Sequence, residues 1–183
     1  MNVMDTILEG VKVIESEMYR DERGEFSRIF CDDELQWNLN GKAIKQINQS
    51  MTRKIGTVRG MHFQNSPDAE IKIVRCLRGK VFDVAVDLRK DSPTFLQWYG
   101  IELSPLKNIA LIIPEGCAHG FQVLEEDSAL LYFHTAPYAP SSEVAIRFDD
   151  PLIGITWPIT PTEISQRDLS TPYLNKAFKG ISL

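Results

Sequence analysis

The run Val81-Phe82-Asp83-Val84-Ala85-Val86-Asp87-Leu88 alternates without a break, sending Phe82, Val84, Val86 and Leu88 to one side of an extended chain and Asp83, Ala85 and Asp87 to the other. A helix repeats about every 3.6 residues and would scatter this pattern around its surface. The run therefore reads as a strand with one polar face. Similar runs occur at Ile71 to Leu77, Trp98 to Leu103, Ile109 to Ile113, Gly120 to Leu124, Ala129 to Thr135 and Val144 to Phe148. Turn chemistry punctuates them: Gly79-Lys80, Ser92-Pro93, Ser104-Pro105, Glu125-Glu126-Asp127-Ser128 and Pro140-Ser141-Ser142. Many short strands at a spacing of roughly 8–12 residues indicate an all-β sandwich or jelly-roll barrel. Only Asp32 to Trp37, with an acidic first turn, reads as a short helix, and the tail from Thr160, containing Thr162 to Asp168, as loop plus a helical turn or two.

With 183 residues, 43% of them apolar, the chain can bury one substantial core and is short for two, so residues 1–183 read as a single domain. Lys and Arg number 20 against 25 Asp and Glu, a formal charge of −5, and no basic block marks a nucleic-acid or membrane-surface partner. Cys31, Cys76 and Cys117 are odd in number and lack a CxxC spacing, and Met1 to Gly10 has neither a basic start nor a long apolar run. Free thiols and a cytoplasmic location are expected. The longest strongly apolar stretch, Ile109 to Ile113, is far too short to cross a bilayer.

The residue types that can move protons are few. Three histidines are present: His62, His119 and His134. His62 stands in Gly60-Met61-His62-Phe63-Gln64, where Met61 and Phe63 share the face opposite to it. Arg59 would point away from His62 in a regular strand, but Gly60 permits a bulge or bend that re-aims it. Lys72 interrupts the apolar Ile71-Lys72-Ile73-Val74, and a cation there needs a solvent exit or an anionic partner. Taken singly, each has a plainer reading: His62 as a core histidine bonded to backbone, Lys72 as a surface lysine lying along its stem, Tyr132 as a packed strand aromatic.

His119 follows the turn Pro114-x-Gly116-x-x-His119, half of the metal signature of cupin barrels. The other half needs an H-x-H pair with a carboxylate a few residues on. Two residues after His62 stands Gln64, and no Glu follows until Glu70. With too few N/O ligands for a catalytic divalent ion, no metal is expected.

Taken in order, Arg59-Gly60-x-His62-Phe63-Gln64, Lys72-x-Val74-Arg75-Cys76, Gly79-x-Val81 to Arg89, Asp91-Ser92-Pro93-Thr94-Phe95, Pro114-Glu115-Gly116-x-Ala118-His119-Gly120-Phe121 and Ser141-Ser142-Glu143 resemble the dTDP-4-dehydrorhamnose 3,5-epimerase family. The early Asp21-Glu22-Arg23-Gly24 and the late Ile155-x-Trp157-Pro158 do so too, and the resemblance runs from about Asp21 to Asp168. It implies a cupin-type jelly roll (a double-stranded β-helix) with a few short helices, a homodimer with exchanged N-terminal strands, a tail from about residue 160 over the site, and no metal or cofactor. The implied reaction inverts C3, C5 or both in a nucleotide-linked 4-keto-6-deoxyhexose by removing a proton beside the ketone and returning one to the other face of the enolate. By the same resemblance His62 is the base, Asp168 its partner carboxylate, Tyr132 the proton donor and Lys72 the cation for the enolate oxygen. His119 lines the pocket and bonds Asp83; Arg23, Arg59 and Arg167 face the pyrophosphate; Gln46, Asn48, Tyr138 and Glu143 contact substrate.

Arg28 replaces the Glu common in relatives, and Gln46-Ile47-Asn48 replaces Gln-Asp-Asn. Both changes fall near the nucleotide or sugar end and leave the base open. The segment Tyr132-Phe133-His134 also departs from the pattern, a Lys being usual after the tyrosine, and gives His134 no assigned role. The alternatives are an epimerase acting at one carbon only or on another nucleotide, a metal-dependent cupin, and a non-catalytic sugar-binding jelly roll.

Overall fold

A computed structural model describes residues 1–183. In chain order its strands are β1 Asn2–Asp5, β2 Lys12–Glu15, β3 Met18–Asp21, β4 Gly24–Ser27, β5 Gln46–Thr52, β6 Val58–Gln64, β7 Lys72–Arg78, β8 Val81–Asp87, β9 Trp98–Leu103, β10 Ile109–Ile113, β11 Cys117–Val123, β12 Ser128–His134 and β13 Glu143–Ala145. The helices are α1 Asp32–Leu35 and α2 Gln166–Ser170. One antiparallel sheet has six strands in the order β1-β2-β10-β7-β12-β5; the other has five, β13-β6-β11-β8-β9. They face each other as a cupin-type jelly roll, and the hairpin β3–β4 forms a separate two-stranded ribbon.

Burial follows the alternation of the strands. Val74, Leu111 and Leu130 of the six-stranded sheet meet Val81, Ala85, Leu103 and Phe121 of the five-stranded sheet in the core between them. The outer face of the six-stranded sheet packs Ile73, Ile112 and Phe133 under Leu35 and Leu39. The outer face of the other packs Val84, Val86 and Leu88 with Ile153, Trp157 and Phe178 of the C-terminal segments. Both faces of β8 are thus covered, and the polar face expected on this strand points inward. Asp83 and Asp87 are 0% exposed and lie inside the molecule, each with its own donors.

The expected runs correspond to β7 through β12 with ends shifted by a few residues, β11 starting at Cys117 rather than Gly120, while the last run shrinks to Glu143–Ala145. The short helix at Asp32 and the turn of helix near Asp168 are both present. All three cysteines are free.

Candidate active site

Between the sheets a cavity of about 960 Å³ is lined by β5, β6, β11 and β12, by the start of β7, and by residues 162–169 of the tail. The tail is fastened where it matters. The Val58 N–H donates to the Glu163 carbonyl at 2.9 Å, and the Ser165 hydroxyl caps α2 by accepting from the Asp168 N–H at 3.1 Å. These bonds hold Asp168 against β6, and its carboxylate lies 2.7 Å from His62 Nε2. Burial pushes the Asp168 carboxyl up, but the hydrogen bond and charge of His62, with the Ser165 hydroxyl and the Gly60 N–H, outweigh it and hold the group below its ordinary value. Asp168 is therefore a carboxylate at neutral pH. It accepts Nε2–H, which leaves Nδ1 of His62 as the nitrogen with a free lone pair.

Arg59 is re-aimed as Gly60 permits. Gly60 has φ +124°, and the β6–β11 register slips between His119 and Phe121, so Arg59 and His62 line one cavity. Arg59 Nε donates to Thr52 Oγ1 at 2.9 Å, and the guanidinium enters no ion pair within the chain.

Across the cavity, on the other sheet, stands Tyr132. Its hydroxyl lies 3.3 Å from Ser50 Oγ; its ring meets His119 edge-on at 5.9 Å and stacks on His134 at 6.0 Å. Burial raises its pKa well above the ordinary tyrosine value, so the phenol keeps its proton at any working pH. Beside it, Lys72 is 9% exposed and has found the anion an apolar strand demanded: Glu70 Oε1 at 3.2 Å. Lys72 Nζ also donates to the His62 carbonyl at 3.3 Å.

Deeper in, His119 Nε2 lies 2.8 Å from Asp83 Oδ1. At the rim, Glu143 binds Arg167 at 2.6 Å and accepts from the Tyr138 hydroxyl at 2.7 Å. Burial pushes Glu143 up, yet these two donors outweigh it and keep the carboxyl below its ordinary value. Every imidazole in the chain thus sits on a carboxylate, His134 on Glu70 included, at 2.7 Å. No group of three or more His, Cys, Asp and Glu side chains comes together in a way that would hold a metal ion.

Of the residues singled out in the sequence, His62, Lys72, Tyr132, Asp168, Asn48, Arg59, His119, Tyr138, Glu143 and Arg167 line this cavity. Gln46 lies behind it, its amide oxygen accepting from the Tyr138 N–H at 3.0 Å. Arg23 is outside the cavity of its own chain, exposed at the turn of β3–β4 with its guanidinium on Asp21 at 2.5 Å. Ile47 is 57% exposed and Arg28 pairs with Glu34, so neither lines the cavity. The sequence reading passed over Glu70 and Ser50. Glu70 had a signal, since a lysine in an apolar strand needs an anion and the nearest in the chain is two residues back.

The family model described as dTDP-4-dehydrorhamnose 3,5-epimerase matches residues 5–176. A dTDP-4-dehydrorhamnose 3,5-epimerase of Sinorhizobium fredii is 44% identical over 165 residues, 90% of this chain and 85% of that protein. One of Salmonella typhimurium is 43% identical over 180 residues, 97% of each. Among solved structures, the dTDP-6-deoxy-D-glucose-3,5-epimerase of Legionella pneumophila in complex with dTDP-4-keto-L-rhamnose superposes with a TM-score of 0.90 at 38% identity, covering 96% of this chain and 94% of that one. A 3′-monoepimerase of Streptomyces bikiniensis in complex with dTDP-quinovose gives 0.86 at 29%, covering 93% and 86%.

Proposed function

The chain belongs to the dTDP-4-dehydrorhamnose 3,5-epimerase family, and from that premise we propose that it converts dTDP-4-dehydro-6-deoxy-D-glucose to dTDP-4-dehydro-L-rhamnose by inverting C3 and C5. One observation carries this reading: the His62–Asp168 pair on one sheet and the Tyr132 phenol on the other share a cavity with the Lys72 ammonium. A flat enolate between the sheets then has a base on one side and an acid on the other. His62 Nδ1 takes the proton from the carbon beside the ketone, and Asp168 stabilises the imidazolium. Lys72 faces the oxygen as it gains charge, a stabilisation absent in the ground state. Tyr132 gives its proton to the opposite face of the carbon. The phenolate so formed is unfavourable in a buried site; it regains a proton from water, and His62 gives up to water the proton it took, before the second carbon is processed.

Arg59, free of any carboxylate, suits a diphosphate, and Arg167 with Tyr138 and Glu143 suits the rim of the sugar–nucleotide site. Arg23 serves the same anion from the N-terminal strands of a partner in a homodimer. The enzyme works as a single jelly-roll domain in the cytoplasm, with no resident cofactor and its tail over the site.

The test is proton exchange. Incubated in deuterated water with dTDP-4-dehydro-6-deoxy-D-glucose, the protein is expected to place deuterium at C3 and C5, and His62→Ala to place none, both followed by NMR. Wild type that exchanges at neither carbon refutes the reading. Deuterium at one carbon only supports the narrower alternative, a mono-epimerase, for which the match to the 3′-monoepimerase is the favouring observation.

A further inference from the structure

Glu70 and His134 face the cavity, and the proposed chemistry gives them no task. Lys72 has three N–H groups. One goes to Glu70 Oε1 at 3.2 Å and one to the His62 carbonyl at 3.3 Å, which leaves the third for the cavity. How closely the ammonium is held to Glu70 depends on the rest of that carboxylate. The Glu70 side chain is 6% exposed, so each of its oxygens needs a donor from the protein. For Oε2 the donor is His134 Nδ1, at 2.7 Å. Neutral imidazole that donates from Nδ1 carries its lone pair on Nε2. That nitrogen lies 3.4 Å from Asn48 Nδ2 and accepts from it, which leaves the amide oxygen of Asn48 free for a sugar hydroxyl.

We propose that His134 is a positioning residue for this reaction. By donating to Glu70 it satisfies the carboxylate from the side away from Lys72, so that the ammonium is left to the enolate oxygen, and by accepting from Asn48 it fixes which end of that amide meets the sugar. The proposal rests on the epimerase reading above and deepens it. Without the Nδ1 donor, Glu70 would draw Lys72 into a closer pair, and the transition state would lose part of its cation. Without the Nε2 acceptor, the Asn48 amide would be free to turn, and substrate binding would weaken.

Two substitutions separate the halves. His134→Phe keeps a flat ring to stack on Tyr132 and removes both hydrogen bonds. His134→Asn gives up the ring and keeps an N–H donor at the position of Nδ1. Steady-state kinetics should show kcat down about tenfold in His134→Phe, the kinetic equivalent of one hydrogen bond to a charged group. In His134→Asn kcat should stay within about threefold of wild type, with KM raised in both variants. In a Glu70→Gln background, His134→Phe should no longer lower kcat, since the carboxylate it shields is gone. A role in packing alone gives the reverse order, with the phenylalanine variant silent and the asparagine variant slow, and that order overturns the proposal. Thermal melts establish that each variant folds; if His134→Phe does not, the asparagine variant decides alone, near-wild-type kcat supporting the proposal and a fall overturning it. Wild type that exchanges no deuterium removes the epimerase reading and this role with it, whereas active wild type with the reversed order removes only the role of His134.

Discussion

A proton that His62 removes can return to the face it left, so the imidazole by itself gives exchange without inversion. The His62 side chain is 29% exposed, enough for the proton it has taken to trade with water while the enolate persists. In the proposed reaction, inversion needs the phenol on the other sheet. Tyr132→Phe is therefore expected to keep deuterium incorporation within about tenfold of wild type while the inverted product falls by about 10²-fold or more, the usual contribution of a positioned general acid. NMR of the sugar in deuterated water reads both quantities at once; equal loss of both would take the acid role from Tyr132. Asp168→Asn tests the other side. An amide there would donate to His62 Nε2 and force the proton onto Nδ1, the nitrogen that must accept. A drop in kcat of about 10²–10⁴ with little change in KM is expected from steady-state assays. A drop below fivefold would mean that the tautomer is set elsewhere.

Two elements hold these residues in place. β6 and β11 cross at Gly60 and Gly120, where a Cβ on Gly60 would stand 2.5 Å from the Gly120 Cα and 2.8 Å from the His119 carbonyl oxygen. Gly60 also has φ +124°, where L side chains are strained. Gly60→Ala should cost about 3 kcal/mol by chemical denaturation, adding strain to overpacking, and should displace Arg59 and His62 together. Beyond β8, Asp87 accepts from Arg89 Nε at 2.9 Å, Ser92 Oγ at 2.5 Å and Thr94 Oγ1 at 2.7 Å. Burial raises the Asp87 carboxyl, but these donors outweigh it and hold it below its ordinary value. A carboxyl depressed on folding adds stability above its unfolded pKa of about 3.9 and loses it as pH falls through the folded value. Asp87→Asn should therefore cost about 3 kcal/mol at pH 7, and melts against pH should show the gap to wild type closing towards pH 3. A gap independent of pH would assign the loss to packing. Asp87 also marks the limit of what the sequence could tell. Strands β7 to β12 were legible because apolar alternation writes them out, yet the same alternation gave β8 a polar face without saying that this face is buried. A strand buried on both sides can carry carboxylates inward when His119, Arg89, Ser92 and Thr94 supply donors, and those partners are distant in the chain or across a turn. Strands β1, β3 and β4 left no comparable trace. Asn2–Asp5 and Met18–Asp21 are four-residue pieces, mostly exposed, with no apolar rhythm to read. His62 with Asp168 was legible only through the order of whole motifs, because 106 residues separate them and no periodicity links such a pair.

At the scale of the whole molecule the hairpin β3–β4 is out of keeping with the rest. Its strands pair only with each other, and Tyr19 and Phe26 stand 57% and 71% exposed on it. Arg23, at its turn, lies outside the cavity lined by the other arginines expected to meet the diphosphate. A ribbon that exposes aromatic side chains and carries an arginine proposed to meet the diphosphate away from its own site fits an arm that reaches a second copy of the chain, as the proposed exchange of N-terminal strands requires. Mixed dimers of two inactive variants decide this. Arg23→Ala keeps His62, and His62→Ala keeps Arg23. If the arm acts across the dimer, one site in each mixed dimer combines the intact His62 of one chain with the intact Arg23 of the other, and the second site carries both defects. Unfolding and refolding the two variants together should then restore turnover to about one quarter of wild type, because about half of the dimers are mixed and each has one working site. If Arg23 serves its own chain, every site in a mixed dimer is defective and the mixture stays as slow as its components. Light scattering on the same samples gives the second half of the answer, since a monomer at assay concentration would leave the hairpin without a surface to cover and the arm without a site to complete.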